Sequence, residues 1–283
     1  MTAAASLDAL AAELRRISAS HTGKCTWALT DLTTGAHIGH DEADVMPTAS
    51  LIKTPILVAL YRAVADGRLR LDARTRYGAQ HRTLGSGVLS KLDFGVDMTV
   101  RDAAVLMMII SDNSATNMVI DLVGIDEING LMGELGLPAT RLFCRLGDRS
   151  AGLDARNMSV SSAADITTLL GLIARHECVS PEASEDMLRI MRRSDYRHEL
   201  SRELPWNELN TLGDDPRAAW VAEKGGAFLN GVRTSGAVFK GPRGSFTMAA
   251  FSEGGTGPGT GRESEGNAVI GRLGKAAWDA LAS

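Results

Sequence analysis

The sequence predicts an α/β fold in which an antiparallel five-stranded sheet, flanked by terminal helices, is joined to an all-helical lobe. Three observations carry that expectation: two strand-like runs follow an amphipathic helix at the N-terminus, three more precede a C-terminal helix, and helical periodicity dominates between them. Strands at the two ends of a chain pair most simply in one sheet. The apolar stripes of the terminal helices then bury against that sheet.

Leu7, Leu10, Leu14 and Ile17 recur at helical spacing and mark a first helix over about 6–20. CTWALTDL (25–32) reads as a strand, Thr33-Thr34-Gly35 as a tight turn and AHIGHDEA (36–43) as a weaker strand, which Pro47 ends. A long apolar helix, LIKTPILVALYRAVADG, begins shortly after Ser50. Pro55 is tolerated in its first turns, where the N–H groups have no intrahelical partner. TVRDAAVLMMIISDNSATNMVIDLVG (99–124) carries two apolar stripes around a polar SDNSATN knot, and helices follow at 166–177 and 181–194. Strand character returns in AWVAEKGGAFL, RTSGAVFKG and SFTMAAFSEG, separated by Gly-rich turns, before a last helix over 268–283. Residues 1–283 thus form one domain, with an α/β lobe at about 1–55 and 211–283 and a helical lobe at about 56–210. GGTGPGTG (254–261) reads as a mobile connector within it.

With 44% hydrophobic and 23% charged residues among 283, the chain can bury a sizeable core. Its net charge of −4, with no Lys/Arg stripe, excludes a nucleic-acid partner, and the arginines of RLRLDARTR (68–76) read as a solvated face. Cys25, Cys144 and Cys178 are odd in number and widely spaced, which suits neither a disulfide framework nor a metal site. His21, His37 and His40 lack the second ligand pair a metal would need. No apolar run reaches about 18 residues, so no membrane partner is expected. The N-terminus lacks a basic stretch followed by an apolar one, and the expectation is a cytoplasmic protein. The sequence carries no signal that sets an oligomeric state.

Ser50-Leu51-Ile52-Lys53 opens a helix, so the lysine amine lies one turn from the serine on the same face. A serine hydroxyl needs a neighbouring base, and lysine serves as one when burial and a nearby cation lower its pKa. Ser111-Asp112-Asn113 lies between two helical runs and Lys224-Gly225-Gly226 within a strand. Alone, the first is a good helix-capping tripeptide and the second a plausible bulge.

Taken in order, the three triplets resemble the S-x-x-K, S-D-N and K-T-G set of class A β-lactamases and penicillin-binding proteins. TASLIK (48–53), GSGVL (85–89), TVRDAAVLMMIISDNSATNMVID (99–121) and EKGGAF (223–228) extend the resemblance over nearly the whole chain. The resemblance implies Ser50 as the acylated nucleophile and Lys53 as its base or part of a proton relay. It implies that Ser111 passes a proton to the leaving group and that Asn113 holds a substrate amide and orients Lys53. Lys224 would keep Lys53 neutral and attract an anionic substrate. The N–H groups of Ser50 and Ala227 would form the oxyanion hole, with Gly226 beside the substrate. Arg233, nine residues after Lys224, resembles an arginine that grips a substrate carboxylate. The substrates implied are a small-molecule acyl donor and acceptor, with no cofactor and no metal.

Two departures bear on the reaction. The family's R-x-E-x-x-L-N loop, whose glutamate activates the deacylating water, is missing from TRLFCRLGDRSAGLDARNMSVSSAADI (140–166). Asp148, and less so Asp154, are the candidate replacements. Lys224-Gly225-Gly226 also lacks the hydroxyl of K-T-G. A catalyst that acylates but lacks a base for water waits for another nucleophile. The expectation is therefore an intracellular transacylase that moves an acyl group from an ester or amide donor to an amine or alcohol acceptor in small-molecule metabolism. Two alternatives stay open: a serine hydrolase (a β-lactamase, a D-Ala-D-Ala carboxypeptidase-like enzyme or an esterase) and a non-catalytic binder of β-lactam-like ligands.

Overall fold

The computed structural model describes residues 3–207, 209, 218–256 and 263–283. Its main sheet has five antiparallel strands in the order His37–His40, Lys24–Asp31, Ser245–Glu253, Arg233–Lys240 and Trp220–Ala227. The first hairpin joins the C-terminal strands through one ladder, in which Thr26 pairs with Phe251 and Ala28 with Ala249.

Side chains alternate between the two faces of a strand, so each strand feeds two cores. Trp27 and Leu29 join Phe239, Phe246 and Met248 against the terminal helices Ala3–Ser18 and Glu265–Leu281. Phe239 and Phe246 are direct cross-strand partners whose rings stack at 4.4 Å. Ala28, Val238, Ala249 and Phe251 face the other way, onto Leu51, Ile166 and Leu170. The sheet is therefore buried on both faces, which is why SFTMAAFSE reads as a nearly continuous apolar run.

The predicted helical block contains the helices Lys53–Ala65, Val100–Ile109, Asn113–Val123, Ile125–Glu134, Ala163–Ala174 and Pro181–Met191. It also contains strands that periodicity did not reveal. Arg74–Arg76 pairs with Asp97–Thr99, and Arg141–Leu142 pairs with Ser159–Ser161, which also pairs with Met46–Pro47. Strands of two or three residues are too short to show an alternation, and only the tertiary fold brings their partners alongside. The first helix ends at Ser18, short of the predicted 20. The predicted lobe boundary near 211 and residues 257–261 of the predicted connector lie outside the described residues. Among the described residues, no helix is long and apolar enough to cross a membrane.

Candidate active site

Ser50 lies in a single tight turn, Ala49–Ile52, that runs straight into the helix Lys53–Ala65. Pro55 takes the third helical position, where no N–H is needed. Ala49 has a φ of +45°, in the left-handed region that disfavours a Cβ by about 1–2 kcal/mol. Tertiary bonds hold this turn from both sides. Thr234 Oγ1 donates to the Thr48 carbonyl at 2.7 Å, and the Thr48 and Ser159 hydroxyls lie 2.5 Å apart.

Lys53 Nζ lies 3.2 Å from Ser50 Oγ, 2.9 Å from Ser111 Oγ, 2.7 Å from the Ser111 carbonyl and 2.8 Å from Asn113 Oδ1. Asn113 Nδ2 donates to the Leu84 carbonyl at 3.0 Å, which fixes the amide with its oxygen towards the lysine. That oxygen and the Ser111 carbonyl can only accept, so they use two lysine N–H bonds. In a neutral amine the remaining position is a lone pair, and it faces the two serine hydroxyls. Burial, and then the charge of Lys224, hold the Lys53 amine well below the usual lysine range against the pull of Asp112. A neutral amine beside a serine hydroxyl is a general base.

The Ser111 triplet caps a helix through its middle residue, and its outer residues face Lys53. Asp112 caps the helix Asn113–Val123 by accepting from Ala115 N, and it also accepts from Val88 N and Leu89 N at 2.7 and 2.9 Å. This secures the 85–89 loop, from which Ser86 Oγ donates to the Ser111 carbonyl at 2.6 Å. Ser111 itself has a φ of +54°, at the break between the two helices. With Asp112 doing the capping, Ser111 and Asn113 are left to face Lys53.

Lys224, Gly225 and Gly226 lie on the edge strand Trp220–Ala227, whose ladder runs without a slip from Trp220↔Lys240 to Ala227↔Arg233. The bulge that the glycine pair suggested is therefore absent from this ladder. The glycines answer a demand for space instead. A Cβ on Gly226 would lie 2.6 Å from Ser50 N and 2.9 Å from Leu51 N, so the strand can approach the nucleophile turn only without a side chain. A Cβ on Gly225, pointing to the other face, would lie 2.4 Å from Glu199 Oε2. Lys224 is buried, with Nζ donating to the Gly225 carbonyl at 2.5 Å. Burial pulls its amine down to about 8, against the opposing charges of Glu199 and Glu223.

Two cavities meet at Ser50. One, of about 340 Å³, is lined by Ser50 and Ser111 together with Tyr196, His198, Glu199 and Asn267. The other, of about 580 Å³, runs from Ser50 and Asn113 to Leu146, Asp148, Met158 and Phe228. Ala227 lines both.

Three predicted residues stand differently from the rest. Asp148 lines the larger cavity, but its carboxylate accepts from Ser150 N and Oγ at 2.8 and 2.7 Å, and those bonds lower its pKa. Asp154 caps the turn Ala155–Asn157. Arg233 is fully buried and donates through Nη1 to the carbonyls of Phe228 and Val232. It lines neither cavity. Tyr196, His198 and Glu199, by contrast, line the smaller cavity but belong to none of the three triplets. The missing K-T-G side chain at Gly225 was the one signal in the sequence that something else fills that space. Among the described residues, no group of three or more His, Cys, Asp or Glu side chains is placed to hold a metal ion.

A model of the β-lactamase enzyme family matches residues 9–281. The chain belongs to that family. Its structure is similar to that of a β-lactamase from Sphaerobacter thermophilus DSM 20745, with 25% identity, a TM-score of 0.82 and coverage of 96% of this chain and 97% of the other. It is equally similar to PBP-A, with 27% identity, a TM-score of 0.82 and coverage of 97% and 96%. A PBP-A mutant solved as its acyl-enzyme complex with penicillin G matches at 26% identity, a TM-score of 0.82 and the same coverage. The active-serine superfamily and the fold expected from the three triplets are thus met. In this chain Glu199 lies behind Gly225, and the 140–166 loop carries no glutamate.

Proposed function

We propose that Ser50 takes an acyl group from an ester or amide donor and passes it to an amine or alcohol acceptor, in small-molecule metabolism. The observation that carries this reading is the surroundings of the two cavities at Ser50. Among the described residues, Asp148 and Glu199 are the carboxyl groups that line them, and neither is set to activate water there. Asp148 is held as a weak base by Ser150. Burial, with Glu223 nearby, pushes the Glu199 carboxyl up to about 8, so below that pH it holds a proton and is no base for water.

Ser50 Oγ attacks the donor carbonyl carbon as its proton moves to Lys53 Nζ. The N–H groups of Ser50 and Ala227 stabilise the oxyanion. When the tetrahedral intermediate collapses, the bond to the leaving group breaks, and that group takes its proton through Ser111. The acceptor then attacks the Ser50 ester, giving its proton to Lys53 or Ser111, and Ser50 departs reprotonated. An amine arriving as the free base is already nucleophilic, whereas water needs its proton removed during attack. Two cavities flanking one nucleophile suit a donor and an acceptor.

Hydrolysis is the second reading, favoured by the same neutral Lys53, which can take a proton from water as well as from serine. Product partition under saturating donor, with and without a panel of amines, separates the two. Acyl transfer predicts that amide product replaces free acid as amine is added. Fast penicillin or nitrocefin turnover that collapses in Asp148→Asn overturns it in favour of the hydrolase. Tight binding of those compounds without any adduct on Ser50 favours a binder.

A further inference from the structure

The carboxyl group of Glu199 is buried against the edge strand at the place where the K-T-G hydroxyl is missing. Its side chain is 5% exposed, and Oε2 has no hydrogen-bond partner. That oxygen would sit 2.4 Å from a Cβ on Gly225 and its Cδ 2.6 Å, so Glu199 in this position fills the space that a side chain at 225 would take. Glu199 lines the smaller cavity beside Ser50 and Ser111. Lys224 and Arg233, the two cations that the family resemblance assigns to a substrate anion, both act electrostatically on it.

We infer that Glu199 occupies from within the protein the subsite where a donor's carboxylate would sit, so that the acyl donor is uncharged at that position. The inference rests on the acyl-transfer reading of Ser50 and names the class of donor it takes. Space and charge point the same way. The position that a side chain at 225 would take is filled, so a carboxylate placed there would have to displace a buried side chain. Lys224 and Arg233 already face an internal acid, so a second anion finds their field partly spent and meets a like charge once Glu199 is ionised. Neutral esters or amides meet neither obstacle. Glu199 is thus a specificity-determining residue, and Gly225 is the residue that makes room for it.

The test compares acylation rate constants at Ser50 for penicillin G and its methyl ester, and for a nitrophenyl ester with and without a free carboxylate. Burial, with Glu223 nearby, pushes the Glu199 carboxyl up to about 8, and burial pulls the Lys224 amine down to about 8, so the assay is run from about pH 6 to 8, where Lys224 keeps its charge. The wild type is expected to favour the neutral member of each pair by at least about tenfold. Glu199→Ala, which removes both volume and charge, should lower that ratio at least about tenfold through faster reaction of the acid. Glu199→Gln, which keeps the shape, should lower it less. An unchanged ratio in both variants, with Ser50 still labelled, overturns this inference alone. If no donor labels Ser50 in the wild type, the acyl-transfer reading falls and takes the inference with it. Thermal stability gives a second measure that does not depend on activity. Gly225→Ala should destabilise the wild type more than it destabilises Glu199→Ala, and additive effects would overturn the packing of Glu199 into the space at 225.

Discussion

Lys53 Nζ lies 2.9 Å from the hydroxyl of Ser111, 58 residues further along the chain. The same nitrogen lies 3.2 Å from Ser50 Oγ, so one amine faces two hydroxyls. A proton taken from Ser50 can therefore leave through Ser111 without crossing solvent. The contact depends on the left-handed backbone of Ser111, which breaks two helices apart and turns both its carbonyl and its hydroxyl towards Lys53.

Ser50→Ala is expected to abolish labelling by a fluorophosphonate, with no adduct on mass spectrometry. Lys53→Ala should slow acylation on the order of a thousandfold, because nucleophile and base act as a unit. Labelling of Ser50→Ala at the wild-type rate would overturn the assignment.

The charge of Lys224 is one of the two causes, after burial, that hold the Lys53 amine well below the usual lysine range. A group whose pKa is lowered by a nearby cation has it raised when that cation is removed. In Lys224→Met the acid limb of kcat/KM for a neutral ester should therefore move to higher pH. A pH–rate profile with the acid limb in place in the variant would contradict this role.

Gly226→Ala should slow acylation by about a hundredfold or more, since the strand must retreat from Ser50 N and pull the oxyanion donors apart. Single-turnover acylation by a neutral ester measures it. Circular dichroism should show the sheet retained.

Asp186 ties three helices together. It accepts from Tyr61 Oη at 2.5 Å and from Arg101 Nη2 and Nε at 2.5 and 3.2 Å. Burial alone would raise its carboxyl pKa, but the bonds from Arg101 and Tyr61 outweigh it and hold the pKa below the usual range. A depressed carboxyl contributes stability that is fully present above its unfolded pKa, near about 4, and is lost as pH falls through the lower folded value. Asp186→Asn should cost about 1–3 kcal/mol at neutral pH, with the gap closing in acid. Urea unfolding of both proteins across that range is the measurement.

The sequence by itself determined the two-ended strand pattern, the terminal helices and the three triplets, because each is written within a few neighbouring residues. Apolar spacing marks a helix, alternation marks a strand, and a three-residue step sets Lys53 one turn from Ser50. Gly225 was legible only as a missing hydroxyl. That Glu199 fills the space depends on a contact between residues of two separate segments, which no local pattern encodes. The same holds for Arg233, where the nine-residue offset is visible in the chain but the burial against the Phe228 and Val232 carbonyls is not. The short strand Ser159–Ser161, which steadies Thr48 and hence the nucleophile turn, also exists only through its partners. Tertiary structure decided these features because close approach, burial and electrostatic reach are properties of distance in space, and the chain records only distance along itself.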